Sequence, residues 1–175
     1  MNPDELDGRI GEGWSGEAPN GSHVNIVLAR RGSPTAAAAI SMLAHPAPGH
    51  TPVLVCVGPT QAEYEPVWPP TLIMNKATAV EEGHQTLTWG AAQLGIGQGV
   101  LDAVADGLLE ASGDLLVLVA FWVDPTASDE TALRVASRAA TRKALGICVD
   151  GRDPSAAAAL VERRDDLRSP YYSGE

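Results

Sequence analysis

From residue 23 to residue 29 the chain alternates: Val24, Ile26 and Leu28 fall on one side, His23, Asn25 and Val27 on the other. A period of two is that of a strand with one buried face, so His23 and Asn25 are predicted to share the other face. Ser33 followed by Pro34 has the form of a helix N-cap with proline at the first helical position, opening a helix that stops near His45 and Pro46. The unbroken apolar run 53–57 predicts a strand covered on both faces. Residues 71–74 predict a second short strand leading into the sequence NKAT, which places Lys76 and Thr78 just past a strand end. Near Val80 the pattern turns helical, and over 91–110 Leu94, Leu101, Val104, Ala105 and Leu108 recur close to a 3.6 period. The longest apolar run, 115–123, suits a central strand. Ser128 or Asp129 is predicted to cap a last helix that runs to about Leu145 and ends at Gly146. Interleaved strands and helices point to an α/β protein, an α+β two-layer arrangement in one domain.

Both ends look peripheral. Residues 1–13 are acidic and Gly-rich with no period, so they read as a flexible N-terminal segment; 14–150 read as the domain and 151–175 as a C-terminal extension, with a short helix near 154–164 and a polar SPYYSGE end. The one long irregular stretch, 58–70, holds four prolines and reads as a loop.

Composition narrows the function classes. The 175 residues are 45% hydrophobic and 19% charged, a globular mixture. Only 5% are aromatic, so the core is expected to be aliphatic, with Ala and Gly allowing close backbone approach. A formal net charge of −10 opposes contact with nucleic acid or an anionic membrane. No apolar run approaches the roughly 20 residues of a bilayer span, and the opening residues lack a signal-peptide pattern, so a cytoplasmic location is expected. Cys56 and Cys148 have no CxxC spacing and read as buried thiols.

Few groups are placed for chemistry. His45, His50 and His84 do not have the spacing of a metal site, and no metal is expected. The stretch GIGQG lies inside a helical pattern with no strand before it, so its glycines predict contact with another element or another subunit rather than a phosphate cradle. No Gly-x-Ser-x-Gly elbow occurs. Arg134, Arg138 and Arg142 follow one another at i, i+4, a solvated or subunit-contacting face whose like charges repel unless acids meet them.

His23 is set apart by the segments around it. In order, GEGWSG, SHVNIVLARRGSP, GHTPVLVCV, TLIMNKAT, TWGAAQ and GDLLVLVAFWVDPTASD give the chain a collinear resemblance, from about Ile10 to Leu145, to the formaldehyde-activating enzymes. The resemblance implies a fold like the second domain of ribosomal protein S5, assembled as a homopentameric ring. It implies condensation of formaldehyde with tetrahydromethanopterin, a reduced pterin cosubstrate, with no permanently bound cofactor. By position it makes His23 the catalytic histidine and puts Leu54, Lys76, Thr78 and Gln93 at the pterin. Asn25 stands where the family has an aspartate, and as an amide it keeps that residue's size without its charge.

The chemistry is consistent with such a site. A ring amine adds to formaldehyde to give a carbinolamine, whose hydroxyl must leave as water before a second amine closes the ring. Histidine, with a reference pKa of about 6.5, is suited to deliver that proton. Lys76 is suited to anchoring the ligand or polarising the formaldehyde oxygen, and Gln93 to pairing with a pterin edge. A second function class, a non-catalytic binder of a pterin or aldehyde adduct, uses the same residues without turnover.

Overall fold

The computed structural model describes residues 2–168. Its centre is the five-stranded mixed sheet formed by β1 (Ile10–Ser15), β2 (Ser22–Arg30), β3 (Val53–Leu54), β6 (Thr71–Asn75) and β7 (Leu115–Val123), in the order β1-β2-β7-β6-β3. Only the β6–β7 pair is parallel; β1–β2, β2–β7 and β3–β6 are antiparallel. The 115–123 run is therefore the middle strand, as its hydrophobicity predicts. A small ribbon, β4 (Cys56–Val57) with β5 (Glu65–Pro66), stands beside the sheet.

One face carries the main core. Val24, Ile26 and Leu28 of β2, Ile73 of β6 and Val117, Val119 and Phe121 of β7 are buried there against two long helices. One is continuous over 82–105, as α3 (Glu82–Thr86), a π-helical segment (Leu87–Ala92) and α4 (Gln93–Ala105). The other is α5 (Glu130–Asp150), capped by Asp129, whose side chain accepts from the Ala132 N–H. The single Phe meets Trp89 edge-on at 6.1 Å; the remainder of this core is almost wholly aliphatic. On the opposite face, α2 (Pro34–Leu43), capped by Ser33 as expected, covers only Ala29, Leu118 and their neighbours. That face stays largely open, and the candidate site lies on it.

Several expectations are corrected. The segment 1–13 is not irregular: α1 (Pro3–Leu6) buries Leu6, and β1 begins at Ile10. Asp7 ties it down, one carboxylate oxygen accepting from the Arg30 N–H and the Ser33 hydroxyl, both at 2.8 Å. The run 53–57 is not one covered strand. It breaks at Val55, whose N–H donates to the Thr71 carbonyl and whose carbonyl accepts from Val67, so the chain changes partners; Leu54 is left 43% exposed. The helix expected to reach Glu110 ends at Ala105, because Gly107 (φ +73°) turns the backbone left-handed. Likewise α5 runs through Gly146 and stops at Gly151 (φ +82°). Beyond it α6 (Pro154–Glu162) forms near the place expected, whereas the SPYYSGE end lies outside the described residues.

Two of the three arginines on α5 meet acids, and the third meets an amide. Arg134 donates to Gln98 at 2.9 Å, Arg138 is bidentate on Asp102 at 2.6 Å, and Arg142 reaches Asp106 at 2.8 Å, so two i, i+4 rows on α4 and α5 face each other in step. The bond from Arg138 holds the Asp102 carboxyl below its ordinary value. A depressed carboxylate pKa stabilises the fold above about pH 3.8 and loses that effect as pH falls through the lower folded value. Asp102→Asn is therefore expected to lower stability by roughly 0.5–1 kcal/mol at pH 7 and by less at pH 3, compared by urea unfolding at the two values.

Candidate active site

The sheet register builds the site. On the open face, Trp14, His23 and Trp122 form one cross-strand row and Glu12, Asn25, Ala120 and Met74 the next. A third runs Ile10, Val27, Leu118, Leu72 and Leu54. His23 and Asn25 thus share a face, as their alternation predicts, two residues apart along β2. Lys76 follows β6, its backbone N–H bonded to the Phe121 carbonyl at 2.6 Å. From there its side chain crosses toward β2.

The result is a continuous polar chain. Lys76 Nζ lies 3.0 Å from His23 Nδ1 and donates to Asn25 Oδ1 at 2.8 Å; His23 Nε2 lies 2.9 Å from Glu12 Oε2. The contacts assign the tautomer, since lysine and a carboxylate have opposite capacities. Nε2–H donates to Glu12, and Nδ1 accepts from Lys76. Lys76 is exposed as a residue, yet the sheet face desolvates its ammonium end enough to lower its pKa, an effect that Glu12 partly opposes. The ring of Trp14 stands 6.4 Å from the imidazole and 6.2 Å from Trp122, walling one side.

A turn holds the lysine in place. Asn75 is buried, and its amide nitrogen donates to the carbonyls of Gly49 and Ala77. His50 Nδ1–H donates to the Asn75 carbonyl at 2.8 Å, which leaves Nε2 to accept from the Thr78 hydroxyl at 3.3 Å. Thr78 thus belongs to the brace around Lys76. Beside Asn25 an apolar groove of about 340 Å³ opens between α2 and the sheet, lined by Val27, Ala39, Leu43, Leu72, Met74 and Leu118. Leu54 sits in register with Leu72 at the sheet edge.

Gln93 lies elsewhere. Its amide donates to the Cys56 carbonyl at 3.4 Å, in a separate groove of about 330 Å³ with Tyr64, Trp89, Glu130 and Arg134. The structure therefore brings His23, Asn25 and Lys76 into direct contact, holds Thr78 in the turn beside Lys76 and leaves Leu54 at the sheet edge next to Leu72, while Gln93 faces another surface. Glu12 and Asn75 are the residues that sequence reasoning missed. For Glu12 the one trace in the sequence is its alternation, with Trp14, against Gly11 and Gly13, which carry no hydrophobic side chain to mark a buried face. Of the two thiols, Cys148 is fully buried, its pKa pushed up to about 12 by burial, and Cys56 only partly so. Among the described residues no group of three or more His, Cys, Asp or Glu is arranged to hold a metal ion.

Fold and site define an α+β protein with a hydrogen-bonded imidazole and amine on the open face of a mixed sheet. The chain belongs to the formaldehyde-activating enzyme family, whose model matches residues 10–172. That match begins before residue 14 and continues well past residue 150. The chain is 32% identical over 168 residues to the 5,6,7,8-tetrahydromethanopterin hydro-lyase of Methanosarcina barkeri, covering 95% of this chain and 91% of that one. It is also 32% identical over 144 residues to the bifunctional enzyme Fae/Hps of Methanococcoides burtonii, and 28% over 156 residues to that of Methanosphaera stadtmanae. The matches cover 81% and 88% of this chain but 35% and 37% of those two proteins, so it spans about a third of their length.

Proposed function

We propose that the protein is a hydro-lyase that condenses formaldehyde with tetrahydromethanopterin, or a closely related reduced pterin, to the methylene-bridged pterin and water. Family membership and the likeness to a tetrahydromethanopterin hydro-lyase over nearly the whole chain favour this over a non-catalytic binder. The observation that carries it is the hydrogen-bonded His23–Lys76 pair beside the apolar groove. His23 is the general acid. A pterin amine adds to the formaldehyde carbon; His23, protonated on Nδ1 from solvent, gives that proton to the carbinolamine hydroxyl so that it leaves as water, and the second amine closes the ring and returns a proton. The carbon stays at one oxidation level, so the step calls for no redox cofactor. Glu12 steadies the imidazolium that forms at its ring, 2.9 Å away. Asn25, Leu54, Lys76 and Thr78 of one subunit, with Gln93 supplied by a neighbouring subunit, make up the pterin site.

The same reading takes the fold to be like the second domain of ribosomal protein S5 and the assembly to be a homopentameric ring in the cytoplasm. Gln93 supports a ring: it opens on a different groove from His23, and a head-to-tail contact is the symmetry that brings two different surfaces together. Exposed Ile10, Trp14, Val80 and Val135 supply apolar area for such contacts. No described helix is long and apolar enough to cross a membrane.

The test is consumption of formaldehyde in the presence of tetrahydromethanopterin, followed above the uncatalysed rate. Turnover is expected with the purified protein, together with a raised melting temperature in the presence of the pterin alone. Thermal stabilisation without turnover would establish the binder instead. Light scattering at micromolar concentration is expected to give a closed oligomer; a monomer would remove the ring.

A further inference from the structure

The arrangement at Lys76 offers more than an anchor. The geometry points to Lys76 Nζ as a nucleophile that takes up formaldehyde first, as a covalent methylene adduct, and passes the carbon to the pterin amine. This rests on formaldehyde being the substrate, as proposed above.

Besides its bond to Cε, Nζ has three tetrahedral positions. One is directed at Asn25 Oδ1, 2.8 Å away, and one at His23 Nδ1, 3.0 Å away. Neither the amide oxygen nor the ring nitrogen bears a formal charge, so the N–H groups of a neutral amine can also satisfy them. The third position holds a hydrogen in the ammonium and the lone pair in the amine, and among the described residues no hydrogen bond occupies it. The nearby carboxylate, Glu12, is bonded to the far ring nitrogen. Lys76 thus meets two neutral acceptors where a purely ionic anchor would meet an acid, and desolvation favours its uncharged form. A desolvated lysine beside a base is the ordinary setting for amine attack on a carbonyl.

The steps balance. The Nζ lone pair forms a bond to the formaldehyde carbon while the carbon–oxygen π pair moves to oxygen. His23 Nδ1 takes a proton from Nζ and gives it to that oxygen, completing a carbinolamine. A second proton, taken from solvent and carried by His23, converts the hydroxyl to water, which leaves behind a methylene iminium at Nζ. The pterin amine attacks this carbon, its proton passes to Nζ, and Nζ departs as a neutral amine. Closure by the second pterin nitrogen releases the borrowed proton to solvent. Nothing is oxidised or reduced.

The chain has two lysines, Lys76 and Lys143, which makes the test clean. Lys143 is exposed on α5, so accessibility alone gives Lys76 no advantage over it. The protein is treated with limiting formaldehyde and sodium cyanoborohydride near neutral pH, and methylation at each lysine is followed by peptide mass. Lys76 is expected to be methylated at least about ten-fold faster than Lys143, because burial favours the reactive amine. His23→Ala should abolish the preference. Asn25→Asp should reduce it about ten-fold, because a contacting carboxylate raises a lysine pKa by about one unit. Lys76→Arg keeps the charge and donors but forms no iminium, so condensation should fall to background. Equal or faster labelling of Lys143, or more than half the rate in Lys76→Arg, overturns the covalent step. Catalysed condensation without preferential Lys76 labelling overturns this step and leaves the proposed reaction standing; preferential labelling without condensation keeps the adduct at Lys76 and overturns both its transfer to the pterin and the proposed reaction.

Discussion

Replacing His23 with alanine is expected to slow the condensation about 10²–10⁴-fold, the usual worth of a positioned general acid, while leaving the fold intact. The side chain is 32% exposed on the open face, and its neighbours on β2, Ser22 and Val24, belong to the buried face. Its removal therefore opens no core cavity, and β2 keeps its full ladder to β1 and β7. What disappears is the link between Glu12 and Lys76. Without the imidazole, the carboxylate has no proton to accept from it and Nζ retains only Asn25. The variant should melt within a few degrees of the parent, and formaldehyde consumption should approach the uncatalysed rate at saturating pterin. A rate within two-fold of the parent, in a protein that melts normally, would move the acid to another residue.

What the sequence makes legible follows the strength of its alternation. The pairing of His23 and Asn25 on one face can be read because Val24, Ile26 and Leu28 mark the other face without ambiguity. Lys76 can be placed because a short apolar strand precedes it, although what aims it does not show: the buried amide of Asn75 looks like any turn residue until Gly49 and Ala77 are found at its donors. Glu12 is hidden for a physical reason. The inward positions beside it, Gly11 and Gly13, lie so close to the α5 backbone that no side chain fits, so a buried face is written without a hydrophobic residue. The break at Val55 is also invisible in a uniformly apolar run, since it comes from a change of hydrogen-bonding partner rather than of polarity. Gln93 is legible as a helix residue near the start of α4, but the surface it faces depends on how that helix packs.

Those glycines carry the second large effect. A Cβ on Gly11 or Gly13 would run into the carbonyl oxygens of Ala144 and Ala140, and one on Gly95 into that of Arg134; on Gly99 it would lie 2.6 Å from the Arg138 oxygen and 2.7 Å from Thr141 Cβ. The helix α5 is thus gripped from two directions, by β1 and by α4, and it cannot retreat from one without pressing on the other. Backbone atoms have no rotamer with which to yield. Gly13→Ala and Gly99→Ala are each expected to cost about 1–3 kcal/mol, the range for overpacking, which lowers the melting temperature of a protein of this size by roughly 2–12 °C. Gly83→Ala, where a Cβ meets nothing within 4 Å, supplies the control. There the gain in helix propensity should leave stability unchanged or raise it by up to about 1 kcal/mol. Gly13→Ala has a further consequence, because relief of its clash displaces β1 and with it Glu12, one residue away. Its activity should therefore fall, whereas Gly99→Ala, on the far side of α5, should lose stability and keep its rate below the melting range. Equal losses of rate in the two variants would show that β1 does not transmit the position of α5 to the imidazole.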